Sequence, residues 1–125
     1  MSKIKPENVQ EQVNIFRQMQ QQIQNLSQQI SQMDMTLGET ERTLEEIKNV
    51  GKDTTLYRAI GSVMKKIDDN STLVNDLSDE KERMEIRNNS LKNQIEKMNV
   101  ELAEMQTKLE PVLQSIQENN DKTSK

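Results

Sequence analysis

Carboxylates are the only reactive side chains this chain carries in quantity. Glu39, Glu41, Glu45 and Glu46 form one run, and Asp79, Glu80, Glu82 and Glu85 form another. Two carboxylates held close together can trade a proton or grip a cation. At these spacings, interleaved with Lys and Arg, they read instead as solvated helix faces with i,i+4 pairing. Asp68, Asp69 and Asn70 open like a calcium loop, but its later ligands and its glycine are missing, and helix capping suits them better. The chain has no Cys and no His. Thiol nucleophiles, disulfides, the usual zinc sites and the usual general base are therefore excluded. There is no phosphate-cradling glycine loop and no GKS/T motif. The expectation is a non-enzyme, with no catalytic residue, no cofactor and no metal.

Composition narrows the alternatives. Of 125 residues, 31% are hydrophobic and 30% charged, with one Phe, one Tyr and no Trp. Such a chain cannot fill a compact core, but it can line the seam of a coiled coil. The net charge of −4, with both signs mixed, argues against nucleic-acid binding. No apolar run approaches the roughly 20 residues a membrane span needs, and no signal peptide is visible. A cytoplasmic protein without a membrane partner is expected.

The elements follow from the seam. Pro6 suits a first helical turn, with Glu7 at the positive end of the dipole. Val9, Phe16, Ile23, Ile30, Leu37 and Leu44 then recur every seventh residue, with Met19, Leu26, Met33 and Ile47 at the partner position. Gln12 and Thr40 interrupt that second series. A 3.5-residue repeat predicts a coiled-coil helix over about 7–50. Gly51 is expected to stop it in the left-handed conformation, with Lys48 in the last turn. A second helix is predicted over about 70–118, with a break near Pro111 and a disordered tail at 119–125. Its seam is Val74, Leu77, Met84, Leu91, Ile95, Met98, Leu102, Met105 and Leu109, with Lys81 and Asn88 as polar intrusions. The two helices match in length and should fold back antiparallel, facing layers having residue numbers that sum to about 121. That pairs Leu44 with Leu77, Val9 with Val112, and Thr40 with Lys81 as a polar layer. A register shifted by one heptad is also open. Gly38 inside the first helix costs about 1 kcal/mol relative to Ala. The methionines Met19, Met33, Met64, Met84, Met98 and Met105, mainly on the seam, either fill the core or give an adaptable surface.

Between the helices the pattern changes. Thr54, Thr55, Leu56, Tyr57, Val63 and Ile67 favour a pleated backbone, and Gly61 sits where a tight turn needs no Cβ. Two short strands over 54–59 and 62–67 are expected, the alternative being an irregular loop. A lone two-stranded hairpin is marginal in water and both its edges are open. Other chains would have to supply strands to it, and Leu56, Tyr57, Ile60, Gly61, Val63, Met64 and Ile67 are the candidate assembly residues. At the other end, Val9, Val13, Ile15 and Phe16 on the first helix leave a single seam, as do Leu109, Val112, Leu113 and Ile116 on the second. They either cap the seam or form an apolar patch that holds non-native chains.

These stretches resemble a known family. PENVQEQ, FRQMQQQIQNLSQQI, TLEEI, TTLYRAIGSVMKKID and LSDEKERMEIRNNSLKNQIEKM are similar to β-type prefoldin subunits, the archaeal ones most of all. The resemblance spans nearly the whole chain, and Tyr57-Arg58-Ala59-Ile60-Gly61 with Val63-Met64 is its most specific part. Lys65-Lys66 departs from it, since the family more often has an apolar residue followed by lysine. The resemblance implies a mainly α fold: a long antiparallel two-helix coiled-coil hairpin whose one β-hairpin joins an intersubunit β-barrel. It implies a chaperone without ATPase activity, a hexamer of two α-type and four β-type subunits. Its coiled-coil ends would hold unfolded clients for delivery to a group II chaperonin. A tethering coiled coil without chaperone activity is the alternative that the residues themselves leave open.

Overall fold

The structure, a computed structural model, describes residues 5–123, with side chains as far as 119. A 3-10 turn at Pro6–Asn8 leads into helix α1, Val9–Lys48. Strands β1, Tyr57–Ile60, and β2, Val63–Lys66, follow, and helix α2, Asn70–Thr123, completes the chain. Chain contacts divide it into two compact units. One holds Ile30–Ser90, with the strands, and the other holds the remaining parts of both helices.

In the unit with the strands, the ends of α1 and the start of α2 run antiparallel. Asn88 Nδ2 donates to Asp34 Oδ1 at 2.7 Å, and Lys81 Nζ lies 3.4 Å from Glu41 Oε1. Both pairs have numbers summing to 122. That is one residue from the register expected and six from its heptad-shifted rival. Lys81 is therefore answered by Glu41 and by Glu85 at 3.6 Å. Thr40, expected in its layer, turns its hydroxyl to the Thr36 carbonyl of its own helix. Leu44 is buried here, with Ile30, Met33, Leu37, Ile47, Leu77 and Met84 half-buried. In the other unit Val9 and Leu109 are buried, and the heptad positions between them on each helix are half-buried. Burial thus recurs at the 3.5-residue period of a coiled coil.

Four local expectations are corrected. The helix does not break at Pro111. Leu109 is buried and Val112 and Ile116 are half-buried on the same stripe, so seam packing carries α2 across the proline. Pro111 itself is exposed, where water can satisfy the carbonyl it orphans. The tail expected to be disordered is helical through Thr123, and residues 124–125 lie outside the described residues. Gly51 is not left-handed; Gly61 alone among the described residues has positive φ. The end of α1 tightens instead, with Asn49 N–H donating to the Glu46 carbonyl. The strands differ from those expected: β2 spans Val63–Lys66, with Ser62 in the turn, and β1 runs on to Ile60 but starts only at Tyr57, Thr54 being engaged elsewhere. Its N–H donates to the Gly51 carbonyl, and its own carbonyl accepts from Asn70 Nδ2 at 3.0 Å.

Two substitutions test the seam. A Cβ at Gly38 would meet nothing within 4 Å, so Gly38→Ala should stabilise by up to about 1 kcal/mol, read as a higher melting temperature. Asn88 is 2% exposed, and its Oδ1 accepts from no described group. An unsatisfied buried acceptor costs about 1–3 kcal/mol, so Asn88→Leu should also raise the melting temperature. A fall would mean that the bond to Asp34 outweighs that cost.

Candidate functional site

The hairpin is built around Gly61. Its φ of 60° with no positive φ at Ser62 makes Gly61-Ser62 a two-residue type II′ turn, the form whose twist matches paired strands. Register follows directly: Ile60 faces Val63, Ala59 faces Met64, Arg58 faces Lys65 and Tyr57 faces Lys66. One further bond, Ile67 N–H to the Leu56 carbonyl at 2.9 Å, extends the ladder.

Facing residues share a side of the sheet. Arg58, Ile60, Val63 and Lys65 form one side; Tyr57, Ala59, Met64 and Lys66 form the other. Tyr57, Ile60, Val63 and Met64 are 55–65% exposed, so apolar groups meet water on both sides. Leu56 and Ile67, at the base, are half-buried. Every expected assembly residue therefore lies on this one element or at its base. Two strands leave two unpaired edges. An element apolar on both sides and open at both edges can pair with strands and be covered on each face. Among the described residues no group of three or more His, Cys, Asp or Glu could hold a metal ion. No described helix is long and apolar enough to cross a membrane.

Polar contacts fix the hairpin to α2. Arg58 Nη2 donates to Glu80 Oε1 at 2.7 Å. Asp69 caps α2: its Oδ1 accepts from the Ser71 hydroxyl at 2.7 Å and from the Ser71 N–H at 3.0 Å. Those bonds, the hydroxyl's first, hold the Asp69 carboxyl below its ordinary range. Of the candidate caps Asp68, Asp69 and Asn70, it is Asp69 that serves. Leu73, buried and lining a groove under the hairpin, was outside the expected seam. Its signal was the apolar pair Leu73-Val74, which turns a second apolar position toward whatever lies before the helix. The Arg58–Glu80 pair had no local signal.

The second set of expected site residues falls in the unit without the strands. Val9 and Leu109 are buried; Phe16, Val112 and Ile116 are half-buried on the seam. Val13 and Ile15 flank the α1 seam and are half-buried, and Leu113 flanks the α2 seam at 44% exposed. The seam is widened there by apolar neighbours, of which Leu113 faces water most.

Residues 10–116 match the family model described as prefoldin subunit. The chain is 36% identical over 108 residues to prefoldin subunit beta of Archaeoglobus fulgidus, covering 86% of this chain and 92% of that protein. It is 32% identical over 108 residues to prefoldin subunit beta of Thermococcus onnurineus, with the same coverage of 86% and 92%. Among solved structures, it is similar to the crystal structure of the prefoldin beta subunit from Thermococcus strain KS-1. The TM-score there is 0.76 at 28% identity, over 90% of this chain and 97% of that one.

The Asp69 cap makes a pH prediction. A lowered folded pKa adds stability that is present above the ordinary carboxylate range and is lost as pH falls through the lowered value. Asp69→Asn keeps an acceptor for Ser71 but does not titrate. Between about pH 7 and pH 3 its melting temperature should fall less than the parent's. Equal falls would show that the cap contributes nothing to the acid response.

Proposed function

The chain belongs to the prefoldin subunit family, and we propose that it is a β-type subunit of an ATP-independent holdase. The observation that carries this reading is the hairpin. Its four large apolar side chains stand in water on two faces between open edges. Burying one such side chain is worth about 1.5–3 kcal/mol, and strands from neighbouring subunits would bury all four while pairing the edges. Two α-type and four β-type subunits closing a barrel would meet that demand, since a closed barrel has no edge. The setting is the cytoplasm, where non-native chains and a group II chaperonin would be met.

Client binding is assigned to Val9, Val13, Ile15, Phe16, Leu109, Val112, Leu113 and Ile116. The seam members hold the helices together. Val13, Ile15 and Leu113 beside it offer a small apolar surface that any unfolded chain can touch. One such patch binds weakly; several carried by one assembly bind by avidity. Release to a chaperonin then needs no nucleotide, because each contact is weak enough to be exchanged.

Two variants test the reading by light scattering with an α-type prefoldin subunit and by suppression of aggregation of a heat-denatured enzyme. Ala59 faces Met64 at a non-hydrogen-bonded position, so its N–H points to the open edge of β1; Ala59→Pro removes that edge donor and should abolish the oligomer while most helix remains by circular dichroism. The triple variant Val13→Ser, Ile15→Ser, Leu113→Ser should assemble normally yet lose most holding activity. An unchanged mass for Ala59→Pro would favour a tethering coiled coil joined through its helices. Undiminished holding by the triple variant would move client binding away from these residues.

A further inference from the structure

Two cations face each other across the hairpin. Arg58 is directly opposite Lys65 on the same side of the sheet, an arrangement that is unfavourable by itself. That side is turned toward the start of α2. The groove there is lined by Arg58 and Lys65 from that side, by Lys66 from the other, and by Asp68, Asp69 and Asp76, and Glu80 reaches Arg58 at 2.7 Å. Apolar burial does not choose the orientation, since Ile60 and Val63 on this side are as exposed as Tyr57 and Met64 on the other. Tyr57 and Met64 are each more than half exposed on the far side, while buried Leu73 lines the groove. A hairpin turned over would cover Leu73 with Tyr57 and Met64 and hide the surface that neighbours need. The charges oppose this, since inversion would separate Arg58 from Glu80 and leave the Arg58–Lys65 pair without its counter-charge.

We propose that Glu80 is a positioning residue for subunit assembly: it holds the cationic side of the hairpin against α2 and so keeps Tyr57, Ala59 and Met64 turned outward. The proposal rests on the reading of the hairpin as the assembly element. Glu80 contacts no neighbouring strand in this role; it acts through Arg58. The pair is 36% and 42% exposed, so its effect is modest in size and sensitive to salt.

The test uses the full chain with Glu80→Gln, and the exchanged pair Arg58→Glu with Glu80→Arg. Hydrogen exchange of the hairpin amides is measured on the chain alone at low and high salt. Assembly with an α-type prefoldin subunit is measured by light scattering. In the parent, high salt should speed hairpin exchange. In Glu80→Gln exchange should be about fivefold faster at low salt, the size an exposed ion pair allows, and nearly indifferent to salt. The concentration for half-assembly should rise by a similar factor, and the exchanged pair should restore both properties. Parent-like exchange and assembly in Glu80→Gln, or no recovery in the exchanged pair, would overturn the proposal. Ala59→Pro separates the two readings. If Ala59→Pro abolishes assembly and Glu80→Gln leaves it untouched, positioning by Glu80 fails while the hairpin's role stands. If Ala59→Pro assembles normally, the hairpin reading fails and the positioning role with it.

Discussion

Among the described residues, one stripe of side chains two heptad positions wide, with Leu73 under the hairpin, makes up the interior. Val9, Leu44, Leu73 and Leu109 are the buried apolar side chains among the described residues. Asn88 is the buried polar member of the seam, and the rest of the seam is half-buried. A helix pair cannot do better, because each residue on the stripe has a neighbour on one side and water on the flanks. This thinness has two effects. Small polar contacts weigh more than they would in a globular core, and apolar groups off the stripe cannot be hidden by the chain itself.

The polar contacts act on geometry more than on stability. Asn88 replaces an apolar seam residue and donates to Asp34, while Glu41 meets Lys81 one heptad away. Exposed ion pairs contribute about 0.2–1 kcal/mol, and a buried amide with one unsatisfied acceptor contributes less than a leucine would. What they add is discrimination. A slip by one heptad would set Lys81 opposite Lys48 in one direction or move Asn88 from Asp34 to Ser27 in the other, so each slip loses one of the two contacts and the register is favoured by that cost. At the hairpin the same logic holds, with Thr54 tied to Asn70 and Arg58 to Glu80.

The apolar groups left over fall into two kinds. On the hairpin they sit on a pleated surface whose edges have fixed donors and acceptors, so a partner must match in register and direction. Beside the seam, Val13, Ile15 and Leu113 sit on helix surfaces whose backbone groups are already paired, so a partner need only bring apolar area. A demanding surface suits a permanent neighbour, and an undemanding one suits a client of any sequence. Both surfaces follow from a chain with too little core to bury them.

The sequence by itself determined the helices and their period, because heptad spacing is a local, one-dimensional signal; it narrowed the antiparallel register to two candidates a heptad apart, and the contacts of Asn88 and Lys81 fall within one residue of the first. It also marked the turn at Gly61, since a tight turn requires a residue that tolerates positive φ. It marked Asn88 as a seam position, though not its partner. The family resemblance was legible in the same stretches and most specifically in the hairpin. Local rules failed where a distant packing surface competed with them. Pro111 read as a break, but the stripe through Leu109, Val112 and Ile116 carries the helix across it. Thr54 and Thr55 read as strand, but Asn70 claims the Thr54 carbonyl. Which side of the hairpin faces α2 was decided by tertiary structure alone. Arg58 and Glu80 are 22 residues apart and Asp34 and Asn88 are 54 apart. No propensity or period links such pairs; only the fold brings their charges and hydrogen-bonding groups within reach.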